Sequence, residues 1–238
     1  MQVVLLRIGI DTGCGGILGP LFRNGSFEYI PIPDDCFRVD ERTYGNTRGR
    51  RGRRLIDYFP ESRRARLFDQ PLHFDPEFVT FTYGDPTPLK ASLRRLSEGS
   101  LLVFYAGLKG WDFDCRSGLY IIGYFEVTHA ALATSFTHSE LRRLFRNNFH
   151  VMHGEVFDDQ KDRLVLVKGS KNSRRLKKAV RISTVGTDKS GRSLHRLSAE
   201  MQKTFGHFDG HTSIQRCPPR WVAPEFTQRA ARFISALR

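Results

Sequence analysis

Two apolar runs constrain this chain more than any other feature: Leu101-Leu102-Val103-Phe104-Tyr105-Ala106-Gly107-Leu108, and Gly118 through Ile121, Ile122 and Tyr124 to Val127. Both lack polar alternation, and both read as strands buried on their two faces. Val3, Val4, Leu5, Leu6, Ile8 and Ile10 make a third such run, and Leu164-Val165-Leu166-Val167 a fourth that enters the polar turn Lys168-Gly169-Ser170. Helical spacing is local: Leu89, Leu93 and Leu96 up to Gly99; Ser139 to Phe149, with Leu141, Leu144 and Phe145 inward and Ser139 as N-cap; and Pro224 to Leu237, with Phe226, Ala230, Phe233 and Ile234 inward. Arg174, Arg175, Lys177 and Lys178 read as a short basic helix. No repeat or interdomain linker interrupts the 238 residues, so a single unit spanning 1–238 is expected, with a basic loop at about 41–70.

The first strand does not end as core strands do. Ile10 gives way to Asp11-Thr12-Gly13-Cys14-Gly15-Gly16, and the glycines allow a tight turn or close approach to a ligand. Asp11 and Cys14 therefore emerge together at a strand end. A thiolate can act as a nucleophile, with Asp11 in a proton-transfer role; equally, Cys14 is a small residue filling a Gly-rich turn.

The formal charge of +13 calls for a polyanion, and nucleic acid is the simplest one. Arg48, Arg50, Arg51, Arg53 and Arg54 form a Gly-interrupted run, followed by Arg63, Arg64 and Arg66. A charge run is ordinarily a solvated loop, but with this net charge phosphate contact is the better reading. Lys168 and Ser170, with Arg174, Arg175, Lys177 and Lys178, extend the same set. No run of about 18 apolar residues offers a membrane span, and no signal peptide is legible, so a cytoplasmic protein is expected. Cys14, Cys36, Cys115 and Cys217 form no CxxC pair and suggest reduced thiols, the last three as buried small hydrophobes. Neither a Walker loop nor a Rossmann fingerprint is present, and no cofactor is expected.

A second candidate centre lies at His73, Asp75 and Glu77. In extended backbone, residues two apart share a face, which suits hydrogen bonding to a base edge first, acid–base catalysis second and a metal last. His150 and His153 lack a clear third ligand and are expected to be hydrogen-bonding histidines. Tyr44, Tyr83, Tyr105 and Trp111, beside Gly and Asp residues such as Asp85, are expected to wall a base pocket.

The run Gly19-Pro20-Leu21-Phe22-Arg23-Asn24-Gly25-Ser26-Phe27-Glu28-Tyr29-Ile30-Pro31-Ile32-Pro33, with Thr43-Tyr44-Gly45 and His73-Phe74-Asp75-Pro76-Glu77-Phe78, resembles the third nucleotide-modification-associated domain family. The resemblance implies chemical modification of DNA bases, with double-stranded DNA carrying a modified base and other proteins of a DNA-modification cluster as partners. A narrower resemblance, to the component of the bacterial 7-deazaguanine system that turns a cyano-deazaguanine base into its amide, implies Cys14 as nucleophile, Asp11, Asp75 and Glu77 as catalytic partners, and water as cosubstrate. Gly99 to Tyr105 and Ile121 to Val127 also resemble the strand pair of PUA-like barrels, including the EVE and YTH groups, which hold flipped or modified bases. That resemblance implies an α+β fold with a twisted, partly closed mixed sheet and flanking helices. It also leaves a rival function, a non-enzymatic module that recognises a modified base within a restriction-modification system.

Overall fold

The computed structural model describes residues 1–34, 41–187, 190–191, 193–208, 210–215 and 218–237. The strands are β1 (Val3–Arg7), β2 (Gly19–Leu21), β3 (Ile32–Pro33), β4 (Leu72–His73), β5 (Thr82–Asp85), β6 (Leu101–Gly110), β7 (Gly118–Leu132), β8 (Val165–Gly169), β9 (Arg174–Arg181), β10 (Ser183–Thr187), β11 (Ser193–Leu197) and β12 (Arg220–Trp221). The α-helices are α1 (Glu61–Leu67), α2 (His138–Leu144), α3 (Phe149–Met152), α4 (Gly154–Gln160), α5 (Ala199–Phe205) and α6 (Pro224–Ser235), with 3-10 segments at Leu55–Tyr58, Pro88–Arg95 and Ala133–Ser135.

The two apolar runs are the spine of the sheet. β6 and β7 pair antiparallel from Leu101 opposite Glu126 to Leu108 opposite Gly118. Phe104 and Phe125 meet edge to face at 4.6 Å between centroids, with Phe78 5.7 Å from each ring. On the other side of β6, β1 runs parallel beside Leu101 to Tyr105, and β2 then runs parallel beside Leu108 to Gly110. Both strands therefore use the same edge of β6, one after the other. The chain between them must leave the sheet and return, and that excursion carries Asp11 to Gly16.

The sheet order is β12-β1-β6-β7-β8-β5, with β2 also on β6 and β9 also on β7. This is a mixed α+β architecture, but the barrel-like closure expected from the PUA resemblance is absent among the described residues. Closure needs the outermost strands to pair. Here the outermost strands of the order, β12 and β5, do not pair among the described residues: β7 carries β6 and β9 along its first part and β8 from Val127 to Leu132.

Other expectations need correction. Arg174–Arg181 is a strand, not a basic helix: it pairs with β7 and buries Leu176, while its many charged side chains hide the two-residue period. The helix expected over Ser139–Phe149 is shorter and capped earlier. Thr137 Oγ1 accepts from Glu140 N at 3.2 Å while Glu140 Oε2 accepts from Thr137 N at 2.8 Å, a reciprocal cap that starts α2 at His138. The segment at Leu89 to Leu96 is 3-10, with Leu93 and Leu96 buried and Leu89 exposed. The terminal helix forms as expected, burying Ala230 and Ile234, with Phe226 and Phe233 partly buried against the core. Cys115 is half-buried, and Cys36 and Cys217 lie outside the described residues.

The arginine-rich segment is also better packed than a solvated loop. Tyr44, Leu55, Ile56, Tyr58, Phe59 and Leu67 form a second core cluster with Ile10, Phe22, Ile30 and Leu72. Its apolar residues pin the segment beneath the excursion that carries Cys14. Among the described residues, no helix is long and apolar enough to cross a membrane.

Candidate active site

One wall of the site is the turn at Asp11–Gly16. Gly15 and Gly16 hold φ of 85° and 79°, values that favour glycine. Asp11 N and Cys14 N exchange bonds with each other's carbonyls at 2.9 and 3.2 Å, and Gly16 N donates to Asp11 O at 2.9 Å. Asp11 Oδ1 accepts from Gly13 N and Cys14 N, both at 2.8 Å, while Oδ2 pairs with Arg7 Nη2 at 3.0 Å. With both oxygens engaged, Asp11 orients the turn, and it lines the same cavity as Cys14.

The facing wall joins two distant segments. His73 ends β4, Asp75 follows two residues later, and His150 comes from α3. His150 Nε2 lies 3.4 Å and His73 Nε2 3.9 Å from Asp75 Oδ2, and all three side chains are largely shielded from solvent. Gly84 N donates to the same Asp75 oxygen at 2.7 Å, and Tyr29 Oη donates to the Asp75 carbonyl at 2.9 Å. The His73 ring stacks on Phe149 at 4.1 Å. His150 Nδ1 bonds Gln160 Oε1 at 2.6 Å, tying α3 to the end of α4. A Cβ on Gly84 would lie 2.8 Å from His150 Cδ2, so glycine there admits the imidazole against β5. Burial pushes the His150 pKa down, but the Asp75 carboxylate and Gln160 outweigh it and hold the value above the ordinary one.

Between these walls lies a cavity of about 400 Å³ lined by Arg7, Cys14, His73, Asp75, Tyr83, Asp85, Lys90, His150 and Gln160, among others. Its floor is polar and organised. Asp85 Oδ2 accepts from Tyr83 Oη at 3.0 Å and faces the buried Lys90 Nζ at 3.5 Å, while Oδ1 accepts from Thr87 N at 2.8 Å. Burial and then the Asp85 charge drive the Tyr83 phenol well above its ordinary pKa, so it stays a neutral donor.

Asp11, Cys14, His73, Asp75, Tyr83 and Asp85, expected at a site, thus meet in one cavity. Glu77 does not join them. Its carboxylate accepts from Thr80 N at 3.0 and 2.9 Å and from Val79 N and Thr80 Oγ1, holding the 77–82 turn. Lys168 donates to the Thr80 carbonyl of that turn, and burial lowers its pKa; Ser170 donates to Glu126 at 3.2 Å. Neither is arranged as a phosphate clamp. Tyr44 and Tyr105 are fully buried, donating to the carbonyls of Pro31 at 2.8 Å and Ile214 at 2.9 Å, and so form core rather than pocket wall. Burial raises the Tyr44 pKa strongly.

Trp111 lines a different cleft of about 680 Å³, on the other side of the Cys14 turn, with Tyr58, Phe59, Arg64 and Lys109. Its ring meets Tyr58 edge-on at 5.1 Å. Several basic residues make contacts within the fold. Arg175 pairs with the buried Glu28 at 2.9 Å and lies over the Phe27 and Tyr29 rings; Arg50 donates to the Leu176 carbonyl at 2.8 Å. Burial, followed by the Arg175 charge, lowers the Arg50 pKa. Arg51 stacks on Phe22 at 4.0 Å, and Arg54 pairs with Asp57 at 3.2 Å. Arg50, Arg51 and Arg54 still keep exposed surface, as do Arg48, Arg53, Arg174, Lys177 and Lys178, with Arg174 over the Tyr124 ring.

Sequence reasoning missed Arg7, Lys90, Gln160 and the membership of His150. Only His150 carried a signal, as a histidine with no assigned partner.

A family model for nucleotide modification associated domain 3 matches residues 2–235. The chain belongs to that family. Membership connects the domain to modification of nucleic-acid bases and matches the resemblance carried by the Gly19–Pro33 and His73–Phe78 blocks. No curated protein and no solved structure matches the chain.

Proposed function

We propose that this domain tailors a base within double-stranded DNA, converting the nitrile of 7-cyano-7-deazaguanine to the amide in the cavity between Cys14 and the His73–Asp75–His150 group. The observation that supports this reading is the placement of a thiol, on a turn held rigid by Asp11, in the same cavity as a buried ammonium and two histidines around a carboxylate. A base reader needs a pocket but has no use for a nucleophile.

In this scheme the Cys14 thiolate adds to the nitrile carbon, and the electron pair released to nitrogen takes a proton from Lys90, leaving a thioimidate. Water, oriented by the His73–Asp75–His150 group, adds across the C=N bond to give a carbon bearing OH, NH₂ and sulfur. Collapse forms the carbonyl, expels the thiolate and returns the hydroxyl proton to Lys90. One water is consumed, and no oxidant or reductant is needed. The Asp85 carboxylate offers acceptors for the ring N–H and exocyclic amine of a guanine-like base. The Trp111–Tyr58 cleft stacks a neighbouring nucleotide, and Arg48, Arg53, Lys177 and Lys178 contact phosphates. Any further proteins of a modification cluster would dock elsewhere.

The test is incubation of the purified protein with duplex DNA carrying the cyano-deazaguanine base, then nucleoside mass spectrometry. The reading requires a product heavier by one water. An unchanged nucleoside, with DNA binding intact, would overturn it.

A further inference from the structure

We propose that His73, Asp75 and His150 bind one divalent transition-metal ion, with their metal-facing positions open to the cavity. The ligand geometry is the same whatever base the domain modifies.

Three lone-pair atoms converge here. His73 Nε2 and His150 Nε2 lie 3.9 and 3.4 Å from one oxygen of Asp75, and one ligand atom from each residue falls within 4.8 Å of the other two. Tetrahedral ligands about 2.0–2.2 Å from a zinc-sized ion are separated by roughly 3.4 Å. The three donors therefore need to close by only a small distance around an ion.

The arrangement of the buried polar atoms suits a cation. Gln160 Oε1 bonds His150 Nδ1 at 2.6 Å, and Nε2 faces Asp75. Both side chains are only 3% exposed. His150 Nε2 and Asp75 Oδ1 have no hydrogen-bond partner. A proton on Nε2 would relieve one contact and leave His73 and the second Asp75 oxygen outside it. An ion satisfies all three residues at once.

The surroundings are those of a metal site. Gln160 bonds the far nitrogen of His150, Gly84 N holds Asp75 Oδ2 at 2.7 Å, and Phe149 stacks on the His73 ring, so each ligand is oriented by a neighbour. Two imidazoles and one carboxylate suit a borderline divalent ion such as Zn²⁺, Co²⁺ or Fe²⁺, whereas Mg²⁺ and Ca²⁺ prefer oxygen donors. Three protein ligands facing a cavity leave room for water or substrate, as in catalytic sites. Such an ion would serve as a Lewis acid beside Cys14 and lower the pKa of the water it holds.

The experiment uses the full chain, stripped with a chelator and titrated with Zn²⁺ against a chromophoric competitor, then with Co²⁺ followed by visible absorption. The expected result is one equivalent per chain, a Co²⁺ spectrum without sulfur-to-metal charge transfer, and binding weaker by more than about 100-fold in His150→Ala and His73→Ala. Gln160→Leu, which removes no ligand, should weaken binding about 10- to 100-fold. The inference is overturned if folded wild-type protein binds no stoichiometric metal, if sulfur is a ligand, or if the histidine variants bind as wild type. Should the histidine variants fail to fold, the wild-type ligand set read by X-ray absorption decides: two imidazoles with oxygen ligands support it, and any other set refutes it.

Discussion

Gly15→Ala and Gly16→Ala, made side by side, test whether the Cys14 turn is a rigid scaffold. Gly15 and Gly16 sit at φ of 85° and 79°, so each substitution carries the left-handed penalty of about 1–2 kcal/mol. They differ in what the new methyl meets. At Gly15 it would lie 2.3 Å from Ile10 Cδ1 and 2.4 Å from Cγ1, and Ile10 is 2% exposed and locked into the second core cluster. Overpacking of that kind adds about 1–3 kcal/mol. At Gly16 the methyl would meet the guanidinium of Arg63, the far end of a flexible side chain that can swing away from the Gly15 carbonyl it now bonds. Gly15→Ala should therefore cost about 2–5 kcal/mol and Gly16→Ala about 1–2 kcal/mol. For a chain of this size each kcal/mol shifts Tm by about 2–4 °C, so differential scanning calorimetry separates the two. Iodoacetamide labelling of Cys14 should speed up in Gly15→Ala as the turn loosens. Equal Tm values for the two variants, or a Gly15→Ala protein as stable as wild type, would show that the turn is not packed rigidly against Ile10.

Other expected outcomes concern the charged residues and the cavity. Glu28→Gln leaves Arg175 mostly buried without its counter-charge and should destabilise the fold by about 3 kcal/mol in urea denaturation. Removing Arg48, Arg53, Lys177 and Lys178 together should make the log–log salt dependence of DNA binding shallower by about 0.9 for each phosphate no longer neutralised, with little change in Tm; Arg50→Ala, whose guanidinium reaches the Leu176 carbonyl, should instead lower Tm. Gly84→Ala should push the His150 ring away from β5, lowering nitrile conversion and metal binding together while DNA affinity holds. Cys14→Ser should bind DNA as wild type yet form amide slower by orders of magnitude.

How much of this is legible in the sequence follows from the range of the interactions involved. The buried strands at Val3, Leu101, Gly118 and Val165 are readable because doubly buried strands declare themselves by unbroken apolar runs. The Asp11–Gly16 turn is readable because it interrupts such a run with glycines. The strand at Arg174–Arg181 reads as a helix because one buried leucine among charges carries no period; its partner, β7, lies far earlier in the chain. Glu77 is misplaced for a different reason: alternation predicts a shared face with Asp75 only while the backbone stays extended, and the 77–82 turn breaks it. Tyr44 and Tyr105 mislead because a buried tyrosine with a carbonyl partner and an exposed one look alike in sequence. The joining of His150 to His73 and Asp75 depends on α3 packing against β5, a long-range contact with no local signature.

In the proposed reaction Cys14 acts covalently on a nitrile base in this cavity. Rapid quenching of wild-type protein with a cyano-deazaguanine oligonucleotide, followed by digestion and peptide mass spectrometry, reads it directly. The account predicts a transient thioimidate adduct on the peptide containing Cys14, decaying as amide appears and absent in Cys14→Ala. Amide formation at the wild-type rate by Cys14→Ala, with no adduct at any time, would contradict it.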